Sequence, residues 1–376
     1  MSKIPPEKNK PGPQNNVSPR RRFVRDSAAA SVLGASSLVF GSRARAQSRN
    51  TQTSQATIRT PLTDLFHLEY PIVLAPMGGA AGGELAAAVS NAGGLGLVGG
   101  AYGNPEGLHR ELELLKSKTT RKWGVGLITW RASDDALRVA LSYKPDAFFL
   151  SFGDPIKFSK PIKSAGCLLI CQVQDVDSAL QAKKVGADVI VAQGTEAGGH
   201  GCLTRSTLPL VPAVIDAVAP TPVVAAGGIA DGRGVAAALA LGAAGALIGT
   251  RFCATKESLV RPAAKDRLLH AKSGDTVRTR VFDEVAGIDW PAQFNGRVLR
   301  NNFEETWNGR GAEAHNDPAV VEAYRAAQRS GDFDSAVIWA GESVDLISGL
   351  PAAGELLKKI GADAAQQLRR LAQIVT

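Results

Sequence analysis

Apolar residues in this chain form short continuous runs that recur at regular intervals between residues 71 and 250. The eight runs lie at 71–77, 95–100, 123–129, 147–152, 167–173, 189–194, 222–228 and 245–250. Strict alternation is typical of a strand with one solvated face, whereas a continuous run is typical of a strand covered on both faces. The pattern therefore predicts eight buried strands in a parallel sheet.

Helix-like segments separate these runs. They place apolar residues at helical spacing, and they lie at 83–93, 105–117, 134–142, 175–186 and 232–242. Eight β/α units within about 200 residues favour an α/β fold of the (β/α)8, or TIM barrel, type. A doubly wound open sheet is the competing fold, but the number of units and the lack of a GxGxxG after the first run favour the barrel.

The pattern changes after residue 275. Segment 276–376 holds Trp290 and Trp307 among Arg, Asn and Gly residues, and helix-like stretches follow at 318–331 and 341–373. We expect a mostly helical and loop extension that packs on a barrel formed by 61–275 and covers its mouth. Core packing is the expected role of both tryptophans, and lining the mouth of the barrel is the alternative.

The first 46 residues are similar to an export leader. The segment Arg20-Arg21-Arg22-Phe23-Val24 resembles the twin-arginine motif, and a 13-residue weakly apolar run and Ala44-Arg45-Ala46 follow it. We predict a twin-arginine signal peptide at 1–46, a linker at 47–60, and a periplasmic or exported protein that meets the membrane only through this leader. A disordered basic tail on a cytoplasmic protein is the alternative.

Composition and charge narrow the function classes. The net charge is +8, but residues 1–46 contain nine Lys and Arg against two acidic residues, so the rest of the chain is nearly neutral. This distribution gives no basic face for nucleic acid. The 44% hydrophobic content suits a soluble globular protein. The four cysteines form no CxxC pair and do not alternate with histidines, so no metal site is predicted.

Ligand binding in such barrels occurs at the carboxyl ends of the strands. The first strand ends in Ala75-Pro76-Met77 and two glycines, which let a flat ligand approach the backbone against a polarisable Met side chain. A tight turn packed by Met77 explains the same residues.

The last two strand ends predict a phosphate site. Gly227 and Gly228 follow the seventh strand, and Gly249 and Thr250 follow Leu247 and Ile248 of the eighth. Barrels commonly bind phosphate with these two loops, through exposed N–H groups at a helix N-terminus. A hydroxyl donor from Thr250 would add to them.

The sixth strand end carries the candidate chemistry, in the segment VAQGTEAGGHG at 191–201. We expect Gln193 to point its amide at the head group of the ligand, and Gly198 and Gly199 to let the ring pass close to the backbone. His200 would stand beside this ring on a flexible but crowded loop, where it can take or give a proton. A structural histidine is the alternative.

Four motifs then carry a family resemblance: PIVLAPMGG, ELAAAVSNAGGLG, GADVIVAQGTEAGGHG and PVVAAGGIADGRGVAAALALGAAGALIGTRF. Over about residues 61–300 they resemble the nitronate monooxygenase family, formerly called 2-nitropropane dioxygenases, to which flavin-dependent enoyl reductases are similar. The resemblance implies a barrel that holds FMN non-covalently and His200 as the catalytic candidate. The implied FMN contacts are Ala75, Pro76, Met77, Gln193, Gly198, Gly227, Gly228, Leu247, Ile248, Gly249 and Thr250.

Two departures from the family pattern affect the expected chemistry. Many relatives carry an asparagine on strand three, where this chain has Gly126. Some place a base histidine after strand five, where this chain has Ser178. A nitronate is already deprotonated, so without the second histidine the chain is expected to favour nitronates over neutral nitroalkanes.

The leading functional prediction is an FMN-dependent nitronate monooxygenase that uses O2 to convert a nitronate into a carbonyl compound and nitrite. The alternative keeps FMN but uses NAD(P)H to reduce an enoyl or quinone substrate, with His200 as proton donor. A barrel that binds a phosphorylated metabolite without redox chemistry is the third possibility, although the strand ends offer few residues for it.

Overall fold

The computed structural model describes residues 57–375, so the predicted leader 1–46 and residues 47–56 of the linker lie outside the described part. Eleven strands occur in it: β1 Ile72–Leu74, β2 Gly96–Gly99, β3 Trp123–Ile128, β4 Ala147–Ser151, β5 Leu168–Val173, β6 Val189–Gln193, β7 Gly199–Gly201, β8 Val223–Ala226, β9 Gly245–Ile248, β10 Thr276–Thr279 and β11 Asn295–Leu299.

Eight parallel strands form one sheet in the order β1-β9-β8-β6-β5-β4-β3-β2. A further parallel bridge joins Val73 of β1 to Leu95, the residue before β2, and so brings the two ends of the sheet together. Each of the eight apolar runs contains one of these strands. The prediction of a TIM barrel is therefore confirmed.

Fifteen α-helices accompany the strands in the described residues. They are α1 Pro61–Phe66, α2 Gly83–Asn91, α3 Pro105–Lys118, α4 Asp134–Ser142, α5 Ile156–Ser164, α6 Val176–Lys184, α7 Thr207–Val218, α8 Gly232–Ala240, α9 Thr250–Cys253, α10 Pro262–His270, α11 Val281–Val285, α12 Asn302–Trp307, α13 Gly311–Asn316, α14 Pro318–Ser330 and α15 Ala353–Ala372. No helix in residues 57–375 is long and apolar enough to cross a membrane.

Helix α15 completes the ring of helices around the barrel. It packs against α8 and α2, which follow the seventh and first barrel strands, so it takes the place expected for the helix of the eighth strand. Residues 249–352 are thus inserted between the last barrel strand and its helix. The helical character predicted for the C-terminal segment is confirmed, while its last helix belongs to the barrel ring.

The barrel strands are buried on both faces because their residues alternate between two apolar cores. Phe149, Ile170 and Leu247 belong to a cluster inside the barrel, whereas Leu150, Cys171 and Ile248 belong to the cluster between the sheet and the helices. This arrangement explains why the strands read as continuous apolar runs.

A small antiparallel sheet, which the sequence pattern did not predict, lies over the mouth of the barrel. Its strand order is β10-β11-β7, so it joins two strands of the C-terminal segment to the strand that carries His200. In this pairing His200 lies opposite Gly296. The C-terminal segment therefore reaches the sixth strand end directly.

Candidate functional site

A half-open cavity of about 720 Å³ lies at the carboxyl ends of the barrel strands. This volume is typical of a site for a cofactor or a small molecule. The predicted site residues that line it are Ala75, Pro76, Met77, Gln193, Gly198, Gly199, His200, Gly227, Gly228, Leu247, Gly249 and Thr250. Residues from separate strand ends are thus brought together.

Ile248 differs from the other predicted residues because it does not line the cavity. Its side chain is fully buried in the core between the sheet and the helices. Neighbouring residues of a strand point to opposite faces, so Leu247 faces the inside of the barrel and Ile248 cannot. A side-chain contact from Ile248 to a ligand in the cavity is therefore ruled out.

The loops after β8 and β9 form an anion cradle made of backbone. Within residues 57–375, the N–H groups of Gly227, Gly228, Gly249 and Thr250 donate no hydrogen bond to protein. Gly227 and Gly228 have φ values of +106° and +71°, which L side chains rarely adopt. Successive free N–H groups in such a conformation form a concave site for a phosphate.

Two details of this cradle differ from a simple helix N-terminus. The Asp231 carboxylate accepts hydrogen bonds from the N–H groups of Arg233 and Gly234 at 2.9 and 3.2 Å, so the first turn of α8 is already capped. The Thr250 hydroxyl accepts one from the Gly341 N–H at 3.0 Å and retains its proton. A phosphate would therefore be held by the loop amides and by the Thr250 hydroxyl.

Three glutamines form a hydrogen-bonded group beneath the cavity. The Gln193 Oε1 atom accepts from the amides of Gln172 and Gln174 at 3.1 and 2.9 Å, and its Nε2 donates to the His200 carbonyl at 3.2 Å. Gln193 is thus largely occupied by protein. Gln172 also lines the cavity, and its Oε1 accepts nothing from the described residues. Gln172 is the amide with the larger free capacity for a ligand.

The structure explains why strand three has no asparagine. A Cβ atom added to Gly126 would lie 2.5 Å from the Cβ and Cγ atoms of Pro76, so a side chain there would displace the first strand end. Ile128, two residues further along β3, lines the cavity instead. Ser151 occupies the matching level on β4.

His200 lies on a paired strand rather than on a flexible loop. Besides the pairing with β11, the Arg278 guanidinium donates to the Thr195 carbonyl at 2.9 Å and to the Asn295 Oδ1 at 2.9 Å. Burial, reinforced by the nearby charge of Arg297, lowers the pKa of Arg278 to about 10. These contacts tie the sixth strand end to the small sheet.

The imidazole of His200 is fixed by contacts from the C-terminal segment. Its Nε2 atom lies 2.9 Å from the Asp283 Oδ2, and the two side chains are only 11% and 5% exposed. One face stacks on Trp290 with ring centroids 3.7 Å apart and an interplanar angle of 10°. Trp339 also packs on the imidazole, with ring centroids 4.7 Å apart. Both the position and the orientation of the imidazole are therefore determined.

This arrangement determines which imidazole nitrogen can exchange a proton with a ligand. A carboxylate accepts hydrogen bonds, so the Asp283 contact places a proton on Nε2. The Nδ1 atom of a neutral His200 is then a proton acceptor, and that of a protonated His200 is a donor. Asp283 stabilises the imidazolium in either role.

Trp290 belongs to the core of an aromatic wall, as expected from the sequence. It is 1% exposed, and its indole N–H donates to the Tyr102 hydroxyl at 2.9 Å. Tyr102 lines the cavity, and burial is the main cause that raises its pKa, so its hydroxyl stays protonated. The wall keeps water away from one side of His200.

Sequence reasoning missed Gln172, Ser151, Tyr102 and Asp283. The first two occupy inward positions at the ends of β5 and β4, so the two-residue period of a strand could have revealed them. Asp283 follows His200 by 83 residues in a short helix and carries no local signal. Only the fold brings this pair together.

Comparison with known proteins gives consistent matches. The family model described as nitronate monooxygenase matches residues 59–135 and 128–363. A relative from Mycobacterium tuberculosis, (3aS,4S,5R,7aS)-5-hydroxy-7a-methyl-1-oxo-octahydro-1H-indene-4-carboxyl-CoA dehydrogenase, is 33% identical, covering 85% of this chain and 99% of that protein.

Two solved structures extend these matches. FabK from Thermotoga maritima is 34% identical with a TM-score of 0.74, covering 85% of this chain and 100% of that chain. Nitroalkane oxidase from Streptomyces ansochromogenes is 30% identical with a TM-score of 0.72, covering 82% and 99% respectively.

Proposed function

We propose that this chain, which belongs to the nitronate monooxygenase family and is an FMN-dependent oxidoreductase, oxidises alkyl nitronates with O2 to carbonyl compounds and nitrite. The cavity fits the cofactor, because the free amides after β8 and β9 suit its phosphate and the strand ends suit its ring. When bound, FMN supplies the redox chemistry: it takes up electrons from the substrate and delivers them to O2.

The residues at the ring end of the cavity hold and orient the substrate in this proposal. The protonated hydroxyl of Tyr102 offers a hydrogen bond to a nitronate oxygen, and Nδ1 of His200 offers one when the imidazole is protonated. Trp290 and Trp339 restrict the imidazole to one orientation and exclude water from its faces.

The observation that carries the proposal is the buried His200–Asp283 pair. A nitro group acidifies the neighbouring C–H bond, so a positioned imidazole can remove that proton and form the nitronate inside the site. The Asp283 carboxylate would balance the positive charge that His200 then acquires. The pair supplies a base where the histidine expected near Ser178 is missing, so both nitroalkane and nitronate are proposed as substrates.

A second candidate is the NAD(P)H-dependent reduction of an enoyl thioester. The His200–Asp283 pair is compatible with this reaction, because a neutral His200 can remove a proton and a protonated His200 can deliver one to the substrate. The similarity to FabK and to a carboxyl-CoA dehydrogenase supports this candidate.

The experiment that separates the candidates uses the purified full-length holoenzyme. Nitrite release and O2 consumption are measured with nitronates and nitroalkanes, and flavin bleaching is followed after anaerobic mixing with NADPH. We expect O2-dependent nitrite release and slow bleaching by NADPH.

Rapid bleaching by NADPH without nitrite release would instead support the reductase. A colourless protein that takes up no FMN in a titration would contradict both candidates and favour a non-redox phosphate-binding barrel.

A further inference from the structure

The cavity continues beyond the strand ends into a compartment formed by the C-terminal segment. One wall of this compartment is apolar and consists of Leu259, Val260, Ala264, Leu268, Phe333 and Ile338. Ala264 and Leu268 lie on the inner face of α10 and are 3% and 0% exposed. We call this space the outer compartment.

The outer compartment is continuous with the part of the cavity that Met77 of the first strand end lines. Met77 packs against the apolar cluster that contains Ala264, Leu268 and Ile338, and it also packs against both barrel cores. The Cys253 thiol donates to its Sδ atom at 3.5 Å and anchors the side chain there. A ligand on the Met77 side of the cavity thus meets apolar surface.

Other lining residues of the same cavity extend from the compartment to His200. Phe282, Tyr324, Val337 and Trp339 line the cavity, and Phe282 precedes Asp283 in α11. Trp339 contacts the His200 ring at 4.7 Å. The exposed polar side chains Arg261 and Gln328 also line the cavity, on the segments that carry α10 and α14. An apolar group attached to a carbon beside His200 can therefore enter this space.

We propose that the outer compartment binds a long alkyl or other bulky apolar group of the substrate, so that the enzyme prefers large substrates over nitroethane. This inference rests on the proposed function only for the reacting head group. Each methylene that is buried against an apolar wall strengthens binding, and we expect kcat/KM to rise about fourfold per methylene until the compartment is filled.

The first test is a chain-length series with matched variants of the holoenzyme. Nitronates of nitroethane, nitrobutane, nitrohexane and nitrooctane are compared in the wild type, Ala264→Phe and Ala263→Phe. The Ala263 side chain is exposed on the same helix, so its variant controls for the added ring. We expect Ala264→Phe to abolish the preference for nitrooctane over nitroethane, and Ala263→Phe to retain it.

A second variant covers the case in which Ala264→Phe does not fold, and a binding measurement tests the compartment independently of turnover. If Ala264→Phe fails to fold, Val260→Phe fills the same compartment from its own place in the wall. Binding of unreactive butanamide, hexanamide and octanamide to the holoenzyme is measured through the flavin spectrum. Affinity should rise with chain length in the wild type and in Ala263→Phe only.

The outcomes separate this inference from the proposed function. Tighter binding of longer amides without nitrite release from any nitronate would contradict nitronate oxidation and support the compartment. Equal affinity of the wild type for all the amides would overturn the inference. An equal loss of the preference for nitrooctane in Ala264→Phe and Ala263→Phe would overturn it too. Equal kcat/KM of the wild-type enzyme for all four nitronates would likewise overturn it.

Discussion

The two sides of the cavity are built in different ways. The phosphate side is made of main-chain N–H groups in two glycine-containing barrel loops, with Gly227, Gly228 and Gly249. The side around His200 is made of side chains from the C-terminal segment, including Asp283 and Trp290. The first side depends on local backbone conformation and the second on long-range packing. Cofactor retention and proton transfer are therefore expected to respond to different substitutions.

The largest expected effect comes from His200→Gln. Loss of a positioned base should lower nitroalkane turnover by about 10²- to 10⁴-fold, while nitronate turnover falls far less because no C–H bond must be broken. The nitroalkane-to-nitronate rate ratio measures this difference at an unchanged FMN content. His270→Gln is the control, since His270 is an exposed histidine on α10. Equal losses on both substrates would show that His200 is not the base.

A smaller effect is expected from Asp283→Asn, which keeps the shape of the side chain but removes its charge. At metal sites, loss of the partner that orients a ligating histidine typically costs about 10- to 100-fold, and we expect a loss of that order here, on nitroalkanes. FMN content should be retained, and Asp283→Glu should restore part of the rate. Asp289→Asn, at a nearby position outside the His200 contacts, should have no effect. Release of FMN by Asp283→Asn would contradict the expectation that cofactor retention depends on the phosphate side of the cavity and not on the side around His200.

The smallest effect is expected from Gly228→Ala, which changes only the barrel side. A residue with a side chain at φ +71° costs about 1–2 kcal/mol, and the new Cβ would lie 3.3 Å from the Cβ of Glu196. We expect FMN to bind about tenfold more weakly, with little change in turnover per bound flavin. Spectroscopic titration of the apoprotein measures this affinity.

Gly166→Ala is the matched control for this substitution. Gly166 has a similar φ of +77°, and nothing lies within 4 Å of the place that a Cβ atom would take there. It lies in the turn before β5 and does not line the cavity. Similar weakening of FMN binding by both variants would attribute the effect to general destabilisation.

Much of the barrel side could be predicted from the sequence because its signals are local. Continuous apolar runs identified the strands, and glycines after β8 and β9 identified loops that can present N–H groups. The period of a strand would also have shown that the Ile248 side chain points away from the cavity and that the Gln172 side chain points toward it. FMN contacts from the individual residues stay a prediction, as does the export leader at 1–46.

The sequence by itself determined the barrel, the position of its strand ends and the candidacy of His200, since each depends on patterns within a few consecutive residues. The tertiary structure alone decided the Asp283 partner, the small sheet that fixes His200, and the outer compartment. The physical reason is sequence separation. These features arise where an inserted segment of irregular short elements folds back over the barrel, and such contacts leave no periodicity in the chain.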